Sequence, residues 1–136
     1  MASIRQFIFQ SLKSRKYRAK HPRLRGRPHR AGVVMRLRIC TPRKPNSARR
    51  PVAVTLLKPR RFLFASLPGI GHTVRRHSKV LVRGRGARDL PYANYSCVRG
   101  VYDFLPLYER NRRRSLYGVK RDPELVTFVR RKFRKV

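Results

Sequence analysis

Thr41-Pro42-Arg43-Lys44-Pro45-Asn46-Ser47-Ala48 sets two short neutral side chains, Asn46 and Ser47, at the tip of a run held between prolines and cations. Proline fixes φ, so Pro42 and Pro45 narrow the shapes the run can take. Arg43 and Lys44, with Arg49 and Arg50 just beyond, suit phosphates. A stiff tip carrying neutral donors and acceptors suits the 2′-hydroxyls displayed in the shallow groove of A-form RNA. An ordinary Pro-Asn-Ser turn beside a solvated charge run has the same composition, so the run alone leaves both readings open.

Two further runs are basic and rich in turn residues. Pro68-Gly69-Ile70-Gly71-His72-Thr73-Val74-Arg75-Arg76-His77-Ser78 contains a Gly-x-Gly step. No Gly-Lys-Ser/Thr follows it, so it is not a nucleoside-triphosphate loop. His72 and His77 have no Glu between them and lack the spacing of a zinc-hydrolase helix. Backbone turns and a phosphate contact explain this run more economically than a metal. Arg83-Gly84-Arg85-Gly86-Ala87-Arg88-Asp89-Leu90-Pro91-Tyr92 holds the first acid of the chain. Asp89 either pairs with a neighbouring arginine and shapes the turn, or orients Arg88 toward a ligand.

Carboxylate catalysis is excluded by scarcity. The 136 residues carry 37 Lys and Arg against 5 Asp and Glu, a formal charge of +32, and no acid precedes Asp89. No Ser/His/Asp set, paired carboxylates or Cys-His nucleophile can be assembled. The expectation is a protein that is not an enzyme and takes neither cofactor nor metal. A compact body this basic needs a polyanion, and nucleic acid fits best. Hydrophobic residues at 40%, with seven Phe and six Tyr, allow a real core, which a protamine-like condensing tail lacks. No apolar run of about 18 residues predicts a membrane span. Cys40 and Cys97 have no partner at metal-ligand spacing. A disulfide between them is open on spacing alone; two reduced, partly buried thiols are the expectation.

Three regions must position these loops. Residues 1–31 form a basic arm. Ser3 as N-cap, Gln6 as its capping-box partner, and Ile4, Phe7, Ile8 and Leu12 on one face predict a short helix over 3–13. From Lys13 to Arg30 that pattern vanishes, and the segment reads as extended and ordered only by a partner. Composition leaves the first twenty residues open between a mitochondrial presequence and an RNA-binding tail.

Residues 32–102 read as a small β domain. Val33 to Ile39 alternates, with Met35, Leu37 and Ile39 expected on one face and Arg36 and Arg38 on the other. Val52–Leu57 and Phe62–Leu67 are β-branched or aromatic runs, and Lys79–Arg83 and Tyr95–Tyr102 complete five strands. The fold class expected is all-β: a five-stranded oligonucleotide-binding (OB-fold) barrel with a long basic N-terminal arm and a basic, partly helical C-terminal tail. In that tail, residues 103–136, Asp122-Pro123-Glu124 is a helix-start signal. Leu125, Val129 and Phe133 then recur every four residues among arginines and lysines, which predicts an amphipathic helix over about 123–134. One face would lie on protein and the other on phosphate; a membrane-surface helix is the competing reading.

The loops together resemble a known family. Thr41 to Ala48 looks like the signature of small-subunit ribosomal protein twelve. The start Met1-Ala2-Ser3-Ile4-Arg5-Gln6-Phe7 is similar to the family's start, and Pro28 to Thr41 to its first strand. Gly69-x-Gly71-His72, His77-Ser78, Val82-Arg83-Gly84, Arg88-Asp89-Leu90-Pro91, Val98-Arg99-Gly100 and Arg114 to Arg121 follow in family order.

The resemblance implies an RNA-threaded arm, a five-stranded barrel, and a structural place in the small ribosomal subunit at the decoding centre. There the protein would tune accuracy and transfer RNA selection. Carried over by position, Pro45, Asn46 and Ser47 would approach the codon–anticodon helix and the monitoring bases of ribosomal RNA, with Arg43 and Lys44 clamping phosphates nearby. Arg88, Asp89, Leu90 and Pro91 would form the second decoding loop. Phosphate contacts to ribosomal RNA are expected from Lys13, Arg15, Lys16, Arg18 and Lys20 in the arm. Arg49, Arg50, Arg83 and Arg85 would serve around the loops, and Arg113, Arg114, Lys120 and Arg121 in the tail. The implied partners are ribosomal RNA, transfer RNA, messenger RNA and neighbouring ribosomal proteins, with no membrane.

Departures from the bacterial pattern give the location. Arg43 stands where bacterial members usually carry Lys, Ile70 and Arg76 where they carry acids, and Tyr92 where they carry Gly. Residues 122–136 have no bacterial counterpart. Because residues 1–7 match the mature start, no cleaved presequence is expected. The reading is a mitochondrial member, ahead of a plastid or bacterial one.

Overall fold

The computed structural model describes residues 3–5 and 20–121. Ile4 and Arg5 are helical; the rest of the helix expected over 3–13, and the one expected over about 123–134, lie outside the described residues.

Five strands make a closed barrel: β1 (His29–Cys40), β2 (Arg50–Leu57), β3 (Arg61–Ser66), β4 (Lys79–Gly84) and β5 (Tyr95–Val98). They run in the order β1-β2-β3-β5-β4, and β1 pairs with β4 to close the ring. All pairings are antiparallel except β3 with β5. This is the expected all-β, OB-like architecture, and closure removes the open edges on which strands aggregate.

The long first strand makes closure possible. Its first half pairs with β4 and its second half with β2, and Gly32 and Val33 pair with both. A side chain at Gly32 would fall 2.7 Å from Leu57 Cδ2 and 2.9 Å from the Leu56 carbonyl oxygen, so only glycine lets the two strands meet at this corner. The register then slips between Val34 and Arg36. The extra residue, Met35, turns outward beside Arg36. Such a bulge resets the alternation. The face expected for Met35, Leu37 and Ile39 therefore breaks up. Val34 is fully buried, Leu37 packs against the core from its edge, and Ile39 is exposed.

Core residues come from inside the ring and from segments beyond the strands, Leu67 just past β3 among them. Ala53, Leu57, Leu63, Ala65, Val80, Val82 and Cys97 line the interior. Leu24, Val74 and Phe104 close it from segments outside the strands. Thr55 is buried among them and donates its hydroxyl to the Leu63 carbonyl at 3.5 Å.

Two expectations need correction here. The segment Lys13 to Arg30 reads in sequence as ordered only by a partner. Within its described part, Pro22–Leu24 forms a 3-10 turn that Leu24 nails into the core. The Arg23 amide donates to the Tyr95 hydroxyl at 3.3 Å, and its guanidinium donates to the Phe62 carbonyl. Burial of one apolar side chain, worth about 2 kcal/mol, recruits the turn without RNA. Second, β5 stops at Val98 rather than Tyr102. Gly100 and Tyr102 adopt positive φ, and the chain folds back so that Val101 bridges Phe104.

Candidate nucleic-acid interface

The β1–β2 loop (residues 41–49) and the β4–β5 loop (85–94) leave the barrel at the same end and are fastened to each other. The Arg43 amide donates to the Asp89 carbonyl at 3.1 Å, and the Asn46 amide donates back to the Arg43 carbonyl at 3.0 Å, closing the tip into a turn. The Asp89 carboxylate meets Arg50 Nη2 at 2.7 Å. Beneath these contacts lies a small second core: Val52 of β2, Leu90 and Ala93 of the second loop, with Cys40 and Ala87 against them. Gly86 is the tightest point. A Cβ there would stand 1.5 Å from the Ala93 carbonyl oxygen, so the base of this loop closes only around glycine.

These contacts decide what each expected site residue can do. Arg43, Lys44, Pro45, Asn46, Ser47, Arg49 and Arg88 sit in the two loops, and all of them are exposed. Asp89 pairs with Arg50 from the other side of the barrel mouth, not with Arg88 beside it. It ties the loops together instead of aiming its neighbour. Leu90 is 3% exposed, so it anchors the second loop from below and offers nothing to a partner. Pro91 is half-buried beside it.

The residues expected to contact phosphate divide similarly. Arg49, Arg50, Arg83 and Arg85 line one groove of about 740 Å3, whose far wall is the Pro68–Gly71 segment and Leu116. Arg83 Nε is buried there without a hydrogen-bond partner. Arg50 shares its charge with Asp89, but Arg49, Arg83 and Arg85 have no ion-pair partner among the described residues, and a groove of that kind is matched to phosphate oxygens. Lys20 is exposed in a groove with Arg23, Arg61 and Tyr92. Arg113, Lys120 and Arg121 are exposed and Arg114 is half-buried around the short 3-10 turn Arg114–Tyr117. Lys13, Arg15, Lys16 and Arg18 lie outside the described residues.

The Gly-x-Gly run is held from inside the protein. Arg99 is 5% exposed, and its guanidinium donates to the carbonyls of Pro68 (2.6 Å), Leu105 (3.1 Å) and Gly71. It also lies over the Phe104 ring, 4.3 Å from the centroid. Burial pushes the Arg99 pKa down, with the Tyr117 hydroxyl opposing. Nothing in the sequence announces this: Arg99 is one arginine of many, and its partners Gly71 and Pro68 are 28 and 31 residues away. His72 Nδ1 contacts the Val74 carbonyl at 3.1 Å, and the His77 amide donates to the Val34 carbonyl at 2.7 Å. No group of His, Cys, Asp and Glu able to hold a metal occurs among the described residues. Cys40 and Cys97 are free thiols, and burial pushes Cys97 up to about 12, which keeps it neutral.

Known proteins resolve the identity of this arrangement. The family described as Ribosomal protein S12/S23 matches residues 17–122, spanning the barrel and both loops. The chain belongs to the S12/S23 family of ribosomal proteins. A relative from Paramecium tetraurelia, the small ribosomal subunit protein uS12m, is 53% identical over 109 residues, covering 80% of this chain and 78% of its own length. The chain is accordingly a mitochondrial S12/S23 protein, and it shares the structural, small-subunit character of that family.

Proposed function

We propose that this S12/S23 protein holds its two joined loops against the decoding site of the small subunit. There it would touch ribosomal RNA, messenger RNA and transfer RNA and tune accuracy. The observation that carries this reading is the fastening of the two loops at one barrel mouth by the Arg43–Asp89 hydrogen bond and the Arg50–Asp89 ion pair. In OB-folds these same two connections, first to second strand and fourth to fifth, are the ones that take oligonucleotides. The division of labour is physical. The arginine groove and Lys44 supply sequence-blind attraction to phosphate. Asn46 and Ser47, neutral and exposed at the tip, make short directional bonds whose strength depends on groove geometry. A correctly paired codon–anticodon helix presents that geometry, and the contacts then favour the closed subunit in which transfer RNA is accepted.

The sign of one substitution follows. Asn46→Ala removes a contact made only in the closed state, worth about 1 kcal/mol. Acceptance should slow by about 5-fold and misreading should fall, with the chain still present in purified subunits. Kinetics of transfer RNA selection on variant subunits provide the check. Unchanged selection would remove Asn46 from the tuning of accuracy, and subunits lacking the chain would assign it a role in assembly.

A further inference from the structure

β3 carries two aromatic rings that neither the core nor the loops use. Its alternation sends Leu63 and Ala65 inward, leaving Phe62 52% and Phe64 37% exposed. The register sets Phe62 beside Leu56 and Phe64 beside Val54, and Val54 beside Arg36 of β1. Residues two apart on a strand are separated by about 6.7 Å and face the same way. The outer face of β1–β3 is therefore a small apolar terrace bordered by guanidinium groups. One groove across it, of about 510 Å3, is lined by both rings, Val54, Arg36, Arg38 and Arg76. A second, of about 350 Å3, runs from Phe64 past Arg38 to Tyr92, which is 78% exposed, and reaches Leu90 and Pro91 of the second loop. The terrace is thus continuous with the loop interface. The second loop covers the outward side chain of Val52 but stops short of Val54 and Leu56, which the two Phe rings border.

The charge around the terrace selects its occupant. None of the described acids, Asp89, Asp103 or Glu109, lines either groove. A second copy of the chain, at +32, would bring like charge to arginines that already lack counter-charges. RNA brings the opposite charge, and every base has a face that stacks on an aromatic ring regardless of sequence. The second and third strands are also the face that OB-folds use for oligonucleotides.

We propose that the outer face of β1–β3 is a stacking platform for unpaired RNA nucleotides. Phe62 and Phe64 hold two bases, and Arg36, Arg38 and Arg76 take the flanking phosphates. The proposal rests on the RNA-binding reading above but not on a decoding role. The full-length chain can be titrated with a labelled hexauridylate and with an abasic hexamer carrying the same phosphates. In the F62A/F64A double variant, affinity for hexauridylate should fall by at least about 10-fold. Affinity for the abasic hexamer and the salt dependence of binding should not change. Tryptophan at either position should preserve hexauridylate binding. Equal losses for both hexamers, or no loss for either, would overturn the platform. So would loss of a neighbouring protein from F62A/F64A subunits with hexauridylate binding intact, because the face would then be a protein contact. The platform is read from hexauridylate binding by the isolated chain and the decoding role from transfer RNA selection on assembled subunits, so failure of the decoding reading and failure of the platform give different results.

Discussion

Gly86→Ala will lower the stability of the chain by about 3 kcal/mol, at the upper end of the usual cost of overpacking. A methyl group at residue 86 would lie 1.5 Å from the Ala93 carbonyl oxygen and 2.8 Å from the Asn94 carbonyl carbon. Both obstacles are backbone, so no side-chain rotation relieves the overlap and the two sides of the β4–β5 loop must part. The parting lifts Leu90 and Ala93 off Val52 and takes the Asp89 carbonyl away from the Arg43 amide. One methyl group should therefore misplace both loops. Differential scanning calorimetry should show a drop of about 10 °C. Gly71→Ala is the control: its φ is +69 but a methyl group there would meet nothing within 4 Å, so the cost should be only the left-handed backbone penalty of about 1 kcal/mol. Equal effects of the two substitutions would mean that Gly86 is not a steric hinge point.

Arg99→Met should cost about 2–3 kcal/mol. A methionine keeps the apolar stem over Phe104 but ends all three donations to Pro68, Gly71 and Leu105. Hydrogen bonds from a charged donor contribute more than neutral ones. The total stays below their sum because burial already disfavours the guanidinium, as its depressed pKa indicates, and because the freed carbonyls gain water. Arg99→Lys should recover only part of the loss, since an ammonium lacks the planar fork that reaches three separated carbonyls. Faster amide exchange should be confined at first to the Pro68–Ser78 run and the segment around Leu105. Melting indistinguishable from that of the parent chain would show that the guanidinium is dispensable.

The strands are legible in the sequence because their side chains report local environment. Val52–Leu57 and Phe62–Leu67 are dense in β-branched and aromatic residues, and the structure places β2 and β3 there. The inward face of β1 is not legible, because a single extra residue at Met35 inverts the alternation and nothing in its chemistry announces a bulge. Leu24 and Phe104 lie beyond the strands, and their burial depends on where the barrel ends open. Leu24 does leave a trace as the one aliphatic side chain among the cations, prolines and glycine of residues 20–28. The loop runs are conspicuous, but which groups point outward is not. The Arg50–Asp89 pair spans 39 positions and exists only because closure brings the two loops to one mouth. Leu90, sharing its run with Arg88 and Asp89, carries no sign that it faces inward.

The proposed function also gives the acid-free stretch before Asp89 a physical role. Under the proposed function its positive charge would supply attraction that falls steeply with salt, whereas the tip at Asn46 and Ser47 would contribute bonds that do not depend on charge. The proposal thereby gives anchoring and discrimination to different residues of one surface.

The most direct measurement is a density map of the mitochondrial small subunit with a cognate codon–anticodon helix bound and this chain traced. The Asn46 and Ser47 side chains should lie within hydrogen-bonding distance of that helix or of the ribosomal RNA bases beside it, with the Arg50–Asp89 pair intact behind them. A barrel whose 41–49 and 85–94 loops face away from the codon–anticodon helix would contradict it.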